Sequence, residues 1–252
     1  MDRHQIIRIR HEVRRRTLTI DTIEQLTPRM LRLVLTSPDL HDFVSAGADD
    51  HIKLIFPSAG PSADGRPCMR DFTPRSFDTG QGRLVIDFAL HEAGPAIEWA
   101  KTAKVGDTLE IGGPRGSAVV PDDFDWYLLI GDETALPAIG RRVEELRAGV
   151  PVTSVVVVDG LEEAQTFDGA AAWTPVWAVR DGSGDDAAAL RQAIEGFTFP
   201  PGEGFVWIAA ESQVARAIRA YVVEERGHKR EWIKAAGYWR RGEADAHERI
   251  ED

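Results

Sequence analysis

The chain has a single cysteine, Cys68, in 252 residues. One thiol excludes an internal disulfide framework and suits a reducing compartment, where a lone cysteine is ordinarily inert packing. Basic residues are short: 30 Lys and Arg face 41 Asp and Glu, a formal net charge of −11. That balance argues against general nucleic-acid binding, which needs basic surface, and makes any local basic cluster informative. No apolar run is long enough for a membrane span, so no membrane insertion is expected. Met1 to Arg16, rich in Arg and His, lacks the apolar core of a secretory leader, and a cytoplasmic monomer is expected. The seven histidines form no His-Glu-x-x-His or Cys/His set, so no metal site is expected. No Gly-x-Ser-x-Gly elbow is present.

What is present divides in two. The first half is short strand-like runs: Leu18–Ile20 and Leu31–Leu35 around a turn at Thr27-Pro28-Arg29, then Asp50–Pro57, Met69–Phe72, Arg83–Leu90 and Val105–Ile111. A Gly/Pro/Ser loop over 59–67 and a helix starting at Pro95 interrupt them. Many short strands and one helix predict a closed or nearly closed antiparallel barrel. Near Pro121 the pattern changes. Apolar strands at Asp125–Ile130, Val152–Val158, Val176–Val179 and Phe205–Ala209 alternate with helices at Thr134–Ala148, Asp186–Ile194 and Ser212–Arg226. Such alternation predicts a parallel sheet with crossover helices. The expected domains are 1–120, a barrel, and 121–252, an α/β domain with a charged, frayed tail after Gly242.

The barrel half centres on Arg70-Asp71-Phe72-Thr73-Pro74-Arg75. Alternation along a strand puts Arg70 and Phe72 on one face and Thr73 and Arg75 on the other. A guanidinium fork matches phosphate oxygens, an aromatic ring packs on a flat ring system, and a hydroxyl can bond a ring nitrogen. Together they suit a flavin dinucleotide; an ordinary barrel strand with two solvated arginines reads equally well. Gly94-Pro95-Ala96 opens a helix whose free amides attract anions, or is a plain loop-to-helix join.

In the second half, Gly131-Asp132-Glu133-Thr134 joins the first strand to its helix, where doubly wound sheets bind nucleotides. It has one glycine and two acids, so a tight phosphate loop is not supported. Thr134 is expected to cap the helix. Asp159 can meet a ribose hydroxyl or serve as a turn residue before Gly160, with the turn preferred, and Glu211 has the same ambiguity. Arg180 suits a nucleotide 2′-phosphate or is a surface residue. Tyr238-Trp239-Arg240-Arg241 reads as an aromatic pair over a planar cofactor or as a docking tail.

Five segments occur in one order: 70–78, 91–100, 113–117, 131–139 and 237–242. In this the chain closely resembles the siderophore-interacting proteins, flavin-dependent ferric-siderophore reductases of the ferredoxin-reductase-like superfamily, over roughly residues 15 to 242. The resemblance implies an N-terminal FAD-binding barrel, a C-terminal NAD(P)-binding-like domain, and electron flow from NAD(P)H through FAD to a ferric siderophore. It implies that Arg70 meets the FAD phosphates, Phe72 packs on the flavin, Thr73 approaches its N5 edge and Arg75 holds the dinucleotide. Asp71, Asp87 and Ala89 are expected along the cofactor, His91, Gly94, Pro95 and Ala96 around its pyrophosphate and adenosine side. Thr134 is expected to border the nicotinamide, with Tyr238 and Trp239 at the cofactor. Thr73 and Thr134 are the expected catalytic positions; Lys53, Arg115, Arg240 and Arg241 are expected to hold the anionic chelate. Phe72 stands where many relatives have Tyr, so ring packing survives without the phenol's hydrogen bond. A reductase with another acceptor, or a siderophore-binding flavoprotein without activity, is the alternative.

Overall fold

The computed structural model describes residues 3–61, 67–90, 94–242 and 248–250. The chain divides into two compact units, Ile6–Val120, and Met1–Gln5 with Pro121–Asp252.

The first unit contains β1 (Ile7–Arg10), β2 (Arg15–Thr27), β3 (Met30–Thr36), β4 (Ile52–Pro61), β5 (Pro67–Phe72), β6 (Ser76–Asp78), β7 (Arg83–Ala89), helix α1 (Pro95–Thr102), β8 (Thr108–Gly112) and β9 (Gly116–Val119). Seven strands form one sheet in the order β5-β4-β8-β2-β3-β7-β6, every neighbouring pair antiparallel. The two edge strands, β5 and β6, are joined by Thr73-Pro74-Arg75 alone. Four Cα steps from Phe72 to Ser76 reach at most about 15 Å. A flat sheet would hold those edges about 29 Å apart, six strand spacings. The sheet therefore curls on itself, giving the barrel that the sequence predicts. Its inward residues, among them Leu18, Leu33, Leu54, Phe56, Ile86, Phe88 and Ile111, form one core.

Two features differ from expectation. The run at Leu18–Ile20 is part of a 13-residue strand, β2, whose polar half is held by its ladder to β3 down to a tight turn at Pro28-Arg29. Residues 116–119, to which the sequence pattern assigns no element, pair with β1 as a separate ribbon. A Cβ on Gly116 would sit 2.4 Å from the Ile9 carbonyl oxygen, which explains a glycine at that close crossing.

The second unit contains β10 (Trp126–Gly131), α2 (Leu136–Glu145), β11 (Pro151–Val158), β12 (Ala172–Val179), α3 (Asp186–Glu195), β13 (Gly204–Glu211), α4 (Ser212–Ala220), β14 (Ile233–Trp239) and β15 (Glu248–Ile250). The sheet order is β12-β11-β10-β13-β14-β15. β10 to β14 are mutually parallel and β15 is antiparallel. Numbered from β10, the parallel strands lie 3-2-1-4-5, the doubly wound order whose direction reverses between the first and fourth strands.

The helix expected over 134–148 is α2 preceded by a 3₁₀ turn at Glu133–Ala135, and that expected over 212–226 ends as α4 at Ala220 before a π turn, Tyr221–Glu225. Tyr238 and Trp239 lie at the end of a strand rather than in a docking tail. Beyond Gly242, the expected fraying does not hold for 248–250, where buried Ile250 ties β15 to the core; 243–247 lie outside the described residues. Near the start of the chain, His4 stacks on Phe124 with ring centroids 3.8 Å apart and meets Asp123 and Glu203.

His228 is buried between Trp126 and Phe199. Burial pushes its pKa below the ordinary value, with Lys229 acting the same way and a bond to the Trp232 carbonyl opposing. A depressed histidine stays neutral in the fold while the unfolded chain takes up a proton, so stability is lost as pH falls through about 6.5. Thermal unfolding between pH 7.5 and 5.5 should show a shallower loss in His228→Phe than in the wild type. Equal slopes would remove this group as a source of acid sensitivity.

Candidate functional site

At the barrel seam, cross-strand register decides which groups share a side. Arg70 faces Leu54 and Phe72 faces Ile52, whereas Asp71 faces Lys53. Arg70 and Phe72 therefore lie on the side of two core residues, and Asp71 lies with Lys53 on the other. Phe72 packs on Phe88 with centroids 4.4 Å apart; Phe88 in turn meets Trp99 of α1 at 6.1 Å. The half-buried Arg70 guanidinium donates to the Met69 carbonyl at 2.7 Å.

The strand ends at Phe72; Pro74 has no N–H with which to carry the ladder on, while its ring keeps Thr73 extended. The expected pairing of Thr73 and Arg75 on one strand face therefore does not hold. Thr73 is buried, and no hydrogen bond of its hydroxyl is formed among the described residues. The Arg75 backbone N–H donates to the Val85 carbonyl at 2.9 Å, stitching the link to β7. Its buried guanidinium lies 3.8 Å from Asp87. Asp87 also takes a bidentate hold from Arg32, at 2.7 and 2.8 Å. The Asp87 carboxylate is thus committed to two arginines, and Ala89, two residues on, is buried opposite Met30.

Lys53 forms an ion pair with Asp71 at 2.9 Å, which weakens its pull on an anion. Lys53 also pairs with Gly112 in register, and exposed Arg115 lies in the short connection that follows that strand. Helix α1 starts at Pro95 with Gly94 before it, and among the described residues no side chain caps its first amides. His91 lies outside the described residues.

These groups fit a flavin dinucleotide. A guanidinium and a helix start without a side-chain cap among the described residues suit phosphates, and the Thr73 hydroxyl lacks a partner among the described residues. Asp71 Oδ1 is buried with no hydrogen-bond partner among the described residues. A buried carboxylate oxygen left so is costly, and hydroxyls of the kind a ribityl chain or ribose carries would satisfy it.

The second unit carries its own constellation at the carboxyl ends of its strands. Asp132 Oδ1 accepts from the Thr134 N–H at 2.9 Å and from the Thr134 hydroxyl. Its Oδ2 accepts from the Glu211 N–H at 3.0 Å and from Trp239 Nε1 at 2.8 Å. One carboxylate thereby ties together the ends of β10, β13 and β14. Burial pushes its pKa up, while the bonds from Thr134 and Trp239 pull the other way. The cap of the turn is Asp132, not Thr134 as expected. Likewise Glu211 caps α4, accepting from the N–H groups of Gln213 and Val214, while Ser212, expected to open that helix, donates to the Trp239 carbonyl. Gly131 is there for packing: a Cβ would sit 2.4 Å from both the Ala135 Cβ and the Ala209 carbonyl oxygen. Tyr238 stands edge-on to Trp207 at 6.0 Å, and Arg240 and Arg241 are exposed.

Arg180 is neither a bare surface residue nor an open anion site. It bonds Glu133, Asp159 at 2.8 Å and Asp186 at 2.9 Å. Burial works against its charge, but Glu133 and Asp186 outweigh that and hold it protonated well above the ordinary range. Sequence reasoning missed this cluster and the Asp132–Trp239 bond, because their partners come from strand ends far apart in the chain.

An antiparallel barrel followed by a doubly wound parallel sheet is the ferredoxin-reductase-like architecture. A ferredoxin NADP+ reductase from Neisseria gonorrhoeae with bound FAD and NADP shares the fold alone, with a TM-score of 0.55 at 14% identity over 83% of this chain and 91% of that one. Within that class, the family model described as siderophore-interacting protein matches residues 124–242, and that of the siderophore-interacting FAD-binding domain matches 19–64 and 59–118. The chain is 34% identical to the NADPH-dependent ferric-chelate reductase of Escherichia coli over 92% of its own length and 95% of the relative's. A siderophore utilization protein from T. fusca has the same fold with a TM-score of 0.86 and 34% identity, covering 96% of this chain and 98% of that one. The chain belongs to the siderophore-interacting protein family.

Proposed function

We infer that this chain is an NAD(P)H-dependent, FAD-carrying ferric-siderophore reductase. The observation that carries the reading is the barrel seam, where Arg70, Phe72 and the unpartnered Thr73 hydroxyl stand at the three-residue link. When bound, FAD supplies the conversion of a hydride into single electrons. Arg70 and the start of α1, at Gly94, Pro95 and Ala96, hold its phosphates; Phe72 packs on it; Thr73 offers a hydroxyl; Arg75, fixed by Asp87, keeps the link in place. Thr134, oriented by Asp132, is the nicotinamide-side group of the second unit, and Trp239 is fixed by the same carboxylate. Fe(III) is a hard cation gripped by oxygen donors, and the softer Fe(II) is held less firmly, so reduction frees the iron. On the barrel, Lys53 and Arg115 are the basic groups that would attract the anionic chelate against the acidic charge of the whole chain; Arg240 and Arg241 are the corresponding basic groups of the other unit, taken by itself. The division of labour follows the units, cofactor on 1–120 and electron donor on 121–252. Among the described residues no helix is long and apolar enough to cross a membrane.

The test is the visible spectrum of the purified protein, before and after NADH or NADPH is added without oxygen. A yellow protein that bleaches, and recovers colour on addition of a ferric tris-catecholate chelate, supports the reading. Bleaching with faster turnover on a quinone or free flavin replaces the acceptor. Chelate binding with no bleaching turns the protein into a carrier.

A further inference from the structure

The ends of β10, β11 and β12 carry a charge pattern that bears on which nicotinamide is used. In doubly wound sheets the dinucleotide lies at the point where strand order reverses, here between β10 and β13. Its adenosine ribose then reaches the end of the second strand. An acid there bonds the 2′-hydroxyl of NAD, and an arginine nearby accommodates the 2′-phosphate of NADP. The second strand is β11, and the residue that follows it is Asp159. The last ladder pair of β11 and β12 is Val158 with Val179, which sets Asp159 beside Arg180.

Arg180 is the sole basic residue in 131–135, 159–164 and 180–186, the segments that follow these three strands. Its donors are already directed to Glu133, Asp159 and Asp186. Its side chain is 22% exposed, Asp159 is 30% exposed, and Glu133 and Asp186 are 7% and 10% exposed. A 2′-phosphate entering here would meet three carboxylates around one guanidinium. To gain that guanidinium it would have to break pairs with acids that then stay buried and unpaired. A neutral 2′-hydroxyl meets no such opposition, and a carboxylate oxygen that already accepts from Arg180 has lone pairs left for a hydroxyl.

We propose that the second unit selects NADH over NADPH, with Asp159 accepting from the adenosine ribose 2′-hydroxyl and Arg180 acting as the positioning residue that holds it. This rests on the reading of the second unit as the electron-donor domain. Two measurements on the FAD-loaded protein test it. One is binding of ADP-ribose against 2′-phospho-ADP-ribose by calorimetry, which needs no turnover. The other is kcat/KM for NADH against NADPH with ferricyanide as acceptor. ADP-ribose should bind at least about tenfold more tightly, the size of one charge-assisted hold, and kcat/KM should favour NADH similarly. The pair Glu133→Gln with Asp159→Asn should release Arg180 and move both ratios toward the phosphorylated ligand. Equal or tighter binding of 2′-phospho-ADP-ribose by the wild type overturns the proposal. So does an unchanged ratio in a double variant that keeps the native circular dichroism. If neither nucleotide binds and neither nicotinamide bleaches the flavin, the donor reading itself fails, and selectivity falls with it.

Discussion

Replacing Asp132 with asparagine should lower stability by about 2–4 kcal/mol, although the two side chains have nearly the same shape. The carboxylate accepts on both oxygens: from Thr134 on one, and from the Glu211 N–H and Trp239 Nε1 on the other. Asparagine has one acceptor and one NH2, so wherever the NH2 points it meets donors. Facing Glu211 and Trp239 it would strand two fixed N–H groups. Facing Thr134 it strands only the Thr134 N–H, because the hydroxyl can turn and accept. The second arrangement is the cheaper and sets the lower end of the range. A urea titration reads the loss as a fall in midpoint at constant slope, and an unchanged midpoint would contradict the geometry. The variant should also loosen Thr134 and Trp239 together, since one carboxylate fixes both.

Arg70→Ala should weaken FAD binding by roughly 10- to 100-fold, the worth of charge-assisted bonds to a phosphate. Among the described contacts Arg70 holds only the neighbouring Met69 carbonyl, so its loss leaves the barrel core intact and the fold should survive. Arg70→Lys should restore part of the affinity, because a point charge replaces the fork. Titrating the flavin-free variant with FAD by fluorescence quenching measures this. Wild-type affinity in Arg70→Ala would move the phosphates away from this strand.

Much of the architecture is legible in the sequence. Strict alternation at Leu84, Ile86 and Phe88 marks a barrel strand, and the valine run at 152–158 marks one covered on both faces. β14 is not legible, because Ile233–Trp239 carries Ala235-Ala236-Gly237 at its centre, residues poor in strand propensity; pairing with β13 makes it a strand. Helix caps were misassigned by one or two residues, at Thr134 and Ser212. Threonine and serine are good caps in isolation, but an acid shortly before each takes the first free amides instead: Asp132 that of Thr134, and Glu211 those of Gln213 and Val214. For the candidate site, the residue types along 70–75 were readable, but their facing was not. Pro74 breaks the strand, and register alone puts Asp71 with Lys53. Arg180 suited an incoming phosphate until its three acidic partners, distant in sequence, were seen around it.

The three-residue link between the edge strands has a further consequence. The barrel is fastened at the same place that is proposed to grip the cofactor, so a bound dinucleotide would act as a clasp across the fastening. A ligand that binds only the closed form adds RT ln(1 + [L]/Kd) to its stability. In a cell starved of riboflavin, then, the protein would lose more than its colour. Its empty barrel would open more often and be cleared by proteases, so that vitamin supply governs how much of this polypeptide persists.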